Sequence, residues 1–136
     1  MFGIPSGPVL PLIDALRRSD VEFVLTASET SAGFMASVVG QLTGTPGACV
    51  ATLGPGATNL TTGVGAAWLD RSPVIAITCN VATPWLERRT QMRIDHQALF
   101  APLTKASFAL RKESVGDQLT QALAVALAEQ IGRAHV

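Results

Sequence analysis

The chain has 136 residues, 48% of them hydrophobic, and a formal net charge of zero. That length supports one domain with a real core and gives no ground for two. With no basic run beyond Arg17-Arg18 and Arg88-Arg89, a nucleic-acid or anionic-membrane surface is excluded, and no stretch approaches the ~18 apolar residues of a membrane span.

Met1 to Pro5 reads as the end of a strand entering a turn, with the strand's beginning missing, and no cationic, apolar, cleavable leader is seen. From Pro8 to Ser19, Leu12, Ile13 and Leu16 recur at helical spacing opposite Asp14, Arg17 and Arg18, which predicts an amphipathic helix. Glu22 to Thr26 is a short strand. Ser28 is an N-cap, and the helix it opens runs to about Leu42, with Phe34, Met35, Val38, Val39 and Leu42 as its expected buried stripe. Thr43-Gly44-Thr45-Pro46-Gly47 stops it.

Ala48 to Thr52 is almost wholly apolar, as expected of a strand covered on both faces. After the turn Gly54-Pro55-Gly56, a helix from Ala57 to Leu69 carries Gly63, Gly65, Ala66 and Ala67, small residues that let its backbone approach a neighbour closely. Pro73 to Thr78 is a third covered strand. Asn80 to Leu99 has no clean period and reads as a long loop, its His96 and its arginines expected to be solvated. A last strand is predicted at Ala106 to Leu110, before a helix from Val115 to Glu129 burying Leu119, Leu123 and Leu127. The final stretch, Ile131 to Val136, resembles the translation of a sequencing adapter and is set aside, leaving residues 1–130 as the domain. Cys49 and Cys79 lie inside apolar runs and read as buried free thiols of a cytoplasmic protein.

Strands alternating with helices at these intervals predict an α/β fold: a central parallel sheet flanked by helices, with right-handed crossovers. In such sheets ligands sit at the carboxyl ends of the strands. Two turns fall there, Thr26 to Thr30 with its acid and Thr52 to Asn59 with its glycines. Gly54-Pro55-Gly56 lacks the third glycine of a dinucleotide fingerprint, and no phosphate-loop GK[ST] is present. The turn is therefore either a tight strand-to-helix connection or a place where backbone approaches a ligand ring. Glu29 has a similar pair of readings: a helix-dipole carboxylate, or a carboxyl that hydrogen-bonds a ligand nitrogen. No Ser/His/Asp order, metal-ligand spacing or CxxC motif is present, so no metal site is expected.

Five segments, FGIPSG at 2–7, SETSAGFMA at 28–36, TGTPGACVATLGPGATN at 43–59, AAWLDRSPVIAIT at 66–78 and APLTK at 101–105, together resemble the N-terminal pyrimidine-binding domain of thiamine diphosphate-dependent enzymes. The acetolactate synthase group is the nearest in pattern. The resemblance implies a three-layer α/β domain in which Glu29 hydrogen-bonds the N1′ atom of the cofactor's aminopyrimidine. The imino tautomer it favours takes the proton from the thiazolium C2, and the carbanion formed attacks a 2-oxo acid. It further implies that Pro5, Ser6 and Gly7 line the first turn, that Gly54, Pro55 and Asn59 face the ring and the substrate cavity, and that Gln91 matches a family glutamine near the reacting centre. The resemblance also implies that Mg²⁺ and the diphosphate are held by a GDG-bearing domain of another subunit in a homodimer or homotetramer; no GDG stands here, so the chain reads as an inactive half-site from a longer parent. An exposed apolar face around Phe34, Met35 and the 63–67 helix is expected if partner domains are absent. Ser28 stands where many acetolactate synthases have histidine, and Ser6 where glycine is common. Two alternatives stay open: a free-standing small subunit of a two-subunit 2-oxo acid decarboxylase, and a non-catalytic α/β binding or assembly module in which Glu29 points away from the glycine turn.

Overall fold

A computed structural model describes residues 1–85, 88 and 91–128. Four strands form one parallel sheet: β1 (Phe2–Gly3), β2 (Val24–Leu25), β3 (Gly47–Ala51) and β4 (Val74–Thr78), in the order β2-β1-β3-β4. Five α-helices accompany them among the described residues: α1 (Leu10–Leu16), α2 (Glu29–Thr43), α3 (Pro55–Leu69), α4 (His96–Phe100) and α5 (Val115–Leu127). The strand beginning at the N-terminus is thus an inner one. Phe2 pairs with Val24 on one side and Cys49 on the other.

The helix ends follow local chemistry. Ser28 Oγ accepts the Ser31 N–H at 3.1 Å, satisfying one of the orphan donors at the start of α2. At the other end Gly44 takes φ 66°, and its N–H closes on Gly40 O. Leu60, Val9, Val50 and Cys49 are the largest fully buried side chains, and the core gathers between β3, α2 and α3.

The inner face of α2 differs from the expected one. Ala32, Gly33, Ala36, Ser37 and Gly40 are buried, whereas Phe34, Met35, Val38 and Leu42 are exposed, Leu42 by 80%. The cause is proximity. A Cβ on Gly33 would stand 2.8 Å from Gly63 Cα of α3, and one on Gly47 only 2.0 Å from Ala36 O. Only small residues fit between such closely packed backbones, so the large apolar ones turn outward. The exposed patch includes Phe34 and Met35 but not the 63–67 segment, where Gly63, Val64 and Ala67 are buried.

Three further expectations are corrected. Ala106–Leu110 pairs with no strand among the described residues. In α5, Leu119 is half-buried and Leu123 and Leu127 are exposed, because the helix turns Leu119, Ala122, Val125 and Ala126 toward a cavity beside β4. The long loop contains α4, capped by Asp95 Oδ1 accepting the Ala98 N–H at 3.0 Å. Residues 131–136 lie outside the described residues.

Candidate functional site

All strands being parallel, their carboxyl ends share one rim, and there β2 leads into Glu29, β3 into Gly54 and β4 into Cys79-Asn80. Glu29 is the first residue of α2 and only 9% exposed. Its Oε2 accepts from Asn59 Nδ2 at 3.4 Å, a long contact. Its Oε1 would be 3.2 Å from a Cβ on Gly56, were there one. The carboxyl therefore lies against the first turn of α3.

Glycine is required in that turn for two reasons. Gly54, which precedes α3, has φ 60° and ψ −117°, a conformation that residues with a Cβ rarely adopt. At Gly56 a Cβ would also come 2.7 Å from Thr52 Cγ2. Pro55 occupies the first helical position, where its missing N–H costs nothing. Across the cleft, Thr30 Oγ1 donates to Asn59 O at 2.7 Å and ties the two helix starts together.

The loop after β4 closes over the glycine turn. A Cβ on Gly54 would stand 2.7 Å from Met92 O, and Met92 itself has φ 65°. Gln91, the neighbour of Met92, is exposed, and no hydrogen bond among the described residues joins it to Glu29. Pro5 and Gly7 are exposed on the turn that follows β1. Between them, Ser6 O accepts the N–H groups of Val9 and Leu10, while Ser6 Oγ is buried without a partner among the described residues. Glu29, Gly54, Pro55 and Asn59 are thus brought together, with Gln91 beside the turn and the Pro5–Gly7 segment following the adjacent strand.

His96 corrects the expectation that it is solvated. It is 8% exposed, its Nδ1 lies 2.9 Å from Thr78 Oγ1 at the end of β4, and its Nε2 is buried with no partner among the described residues. Burial pushes its pKa below the usual histidine value, opposed by the neighbouring Asp95 carboxylate. The signal available in the sequence was Asp95, a residue type favoured at helix N-caps, directly before His96. Of the two thiols, Cys49 is buried and pushed up to about 12 by desolvation, while Cys79 is only half-buried, with its pKa raised by the same cause. Among the described residues no group of three or more His, Cys, Asp or Glu could hold a metal ion, and no helix is long and apolar enough to cross a membrane.

Over residues 1–99 the chain matches the family described as thiamine pyrophosphate enzyme, N-terminal TPP binding domain. It is similar to the probable acetolactate synthase large subunit of Methanocaldococcus jannaschii, 39% identical over 100% of this chain and 23% of the relative. It is equally similar to the acetolactate synthase of Bacillus subtilis, 39% identical over 100% of this chain and 24% of the relative. The acetolactate synthase isozyme 2 large subunit of Escherichia coli is 42% identical over 79% of this chain and 20% of its own length. The chain therefore spans about a quarter of these relatives or less.

Proposed function

The chain belongs to the thiamine pyrophosphate enzymes as their N-terminal TPP binding domain, and from that premise we propose that it is the pyrimidine half-site of an acetolactate synthase-like enzyme acting on 2-oxo acids. When bound, thiamine diphosphate supplies a thiazolium that accepts the electron pair released as a 2-oxo acid loses carbon dioxide. Glu29 holds the proton of a ring nitrogen in a buried hydrogen bond. Asn59 fixes the carboxyl through Oε2, and Thr30 fixes Asn59, so the acid is oriented before the ligand arrives. Gly54 and Gly56 keep the turn low enough for a flat ring, with Pro55 and Asn59 beside it, and Ser6 Oγ offers an unused hydroxyl near the first turn. In this reading Gln91, exposed on the loop whose Met92 meets Gly54, serves the substrate side.

The observation that carries this reading is the burial of Glu29 against the glycine turn at the sheet rim. A carboxyl pointing away from that turn was the expectation for a non-catalytic assembly module. The chain supplies one wall. A diphosphate-binding domain of another subunit, holding Mg²⁺, supplies the other in a homodimer or homotetramer, and the outward Phe34, Met35, Val38 and Leu42 support such a partner. Free Cys49 and Cys79 suit a reducing cytoplasm.

The test is Glu29→Gln in the complete enzyme. Proton exchange at C2 of the bound cofactor is expected to slow by roughly 10²–10⁴-fold, the range for a lost general acid–base group, with cofactor binding little changed. Exchange at the wild-type rate rejects the role.

A further inference from the structure

His96 is held in a way that only its neutral form satisfies. The ring stands at the start of α4, 8% exposed, with Nδ1 2.9 Å from the hydroxyl of Thr78, the last residue of β4. Its Nε2 is sealed by the chain's own atoms and has no partner among the described residues. A neutral imidazole with its proton on Nδ1 donates to Thr78 and leaves only a lone pair at Nε2. The imidazolium carries an N–H on both nitrogens, and the second would be buried with its share of a full charge and no acceptor.

No neighbour relieves that cost. β4, α3 and the residues of α5 that line the cavity beside the ring contain no titratable side chain. The charged groups lining the same cavity are Arg93, Asp95 and Lys105. Asp95 is engaged as the cap of α4, Lys105 donates to the carbonyls of Val125 and Ala126, and Arg93 only adds a like charge. Cys79, which adjoins Thr78, has a thiol that burial pushes up.

The ring anchors a short strained segment. Met92, four residues before it, has φ 65°, a conformation that a residue with a Cβ keeps only where its surroundings hold it. Its backbone lies on the glycine turn, where a Cβ on Gly54 would stand 2.7 Å from Met92 O and 3.1 Å from Met92 Cα. Two hydrogen bonds tie the segment to the end of β4. Asn80 Nδ2 donates to Ile94 O at 3.5 Å, a long and exposed contact, so the buried pair of His96 and Thr78 is the firmer hold.

We propose that His96 and Thr78 form a proton-released clasp: the neutral ring pins residues 91–95 against Gly54, and the protonated ring swings out to water and lets the segment lift off the glycine turn. The turn is then covered on that side in neutral solution and open to a ligand in acid. The clasp needs only the chain's own geometry, so it stands apart from the role of Glu29. Opening takes up one proton. From about pH 7.5 to about pH 5.5, a ring whose open state has the ordinary value of about 6.5 favours opening by up to about tenfold.

Nuclear magnetic resonance of the 136-residue chain with isotope-labelled methionine tests it. Across that range the Met92 methyl and the His96 ring are expected to titrate with one midpoint, while Met35, on the outer face of α2, stays still. Protection of the Ala98 and Leu99 amides, both bonded to Asp95, should fall by up to about tenfold, and the amides of the ladder between β3 and β4 should keep theirs. His96→Gln should abolish the Met92 titration, and Thr78→Val, which removes the ring's partner, should show the acid position of Met92 already near neutral pH. If His96→Gln does not fold, the midpoints in the unaltered chain decide. A Met92 signal that stays fixed, that titrates apart from the ring, or that still titrates in His96→Gln overturns the proposal. So does equal loss of protection in the ladder, which assigns the change to unfolding of the whole chain.

Discussion

Two alanine substitutions on the same helix should move stability in opposite directions. At Gly63 a Cβ would stand 2.6 Å from Gly33 Cα, 2.8 Å from Gly33 C and 2.8 Å from Thr30 O. All three are backbone atoms, so no side-chain rotation relieves the overlap and α2 must move away from α3. Overpacking of this kind costs about 1–3 kcal/mol or more, against roughly 1 kcal/mol gained in helix propensity when Gly becomes Ala. Because all three overlaps are with backbone, the upper end of that cost applies and Gly63→Ala should lose about 2 kcal/mol net. At Gly65 the nearest atom to a Cβ is Leu103 Cδ2 at 3.6 Å, an ordinary contact, so Gly65→Ala keeps most of its propensity gain. Urea unfolding followed by circular dichroism, with unchanged m values, should separate the two variants by roughly 2–3 kcal/mol. Equal stability would refute the claim that backbone contact between α2 and α3 sets the packing. The same displacement would carry Glu29 away from Asn59, so in the complete enzyme Gly63→Ala should also lower activity more than Gly65→Ala does.

The turn glycines make a second contrast. Gly54→Ala places a Cβ 2.7 Å from Met92 O at φ 60° and ψ −117°, and should lower the midpoint of urea unfolding markedly. Gly44→Asn, at φ 66° with nothing within 4 Å, should cost only a few tenths to about 1 kcal/mol. His96 makes stability depend on pH. Its folded-state pKa is depressed by burial, so as pH falls below the ordinary value of about 6.5 the unfolded chain takes a proton that the folded one refuses. Stability should thus be full above that value, fall as the pH drops towards the folded pKa, and then level; His96→Gln should flatten this step in pH-dependent denaturation curves. Thiol labelling of the native chain near neutral pH should modify Cys79 while sparing Cys49, whose thiol is fully buried and pushed up to about 12. Equal labelling of both would contradict the core placement of Cys49.

Local chemistry was the part of the fold most legible in the sequence. Ser28 as a cap, Gly44 as a stop and Gly54-Pro55-Gly56 as the entry to α3 each depend on residues within one or two turns, and each is found where that chemistry places it. The buried face of α2 was not legible, because periodicity equates large apolar side chains with the interior. Here the interior is set by a distant helix approaching so closely that Gly33 and Gly63 touch through their backbones. His96 was misjudged for a related reason: its partner Thr78 lies 18 residues earlier, and nothing in the loop's own polarity announces that contact. Ala106–Leu110 carries a strand's pattern correctly, but a ladder requires a neighbour, which is not a property of the stretch itself.

The inversion of α2 bears directly on the proposed half-site. Its inner face is so tightly seated on β3 and α3 that the helix has little freedom to slide, and its first residue is the acid. Its outer face presents Phe34, Val38 and Leu42 at successive turns, the last two 50% and 80% exposed. A subunit that covers those residues is thereby positioned relative to Glu29 through one rigid element, about 20 Å long at 1.5 Å per residue. The carboxyl and the ligand carried by the second subunit would then be held in register by helix geometry, without a flexible loop between them. An acid acting on a ring held by another domain requires that arrangement, since misplacement by about 1 Å can cost on the order of 10²-fold in rate. Small residues inside and large ones outside are, on this reading, two requirements of the same function: the first fixes the acid and the second recruits the domain that holds what it acts on.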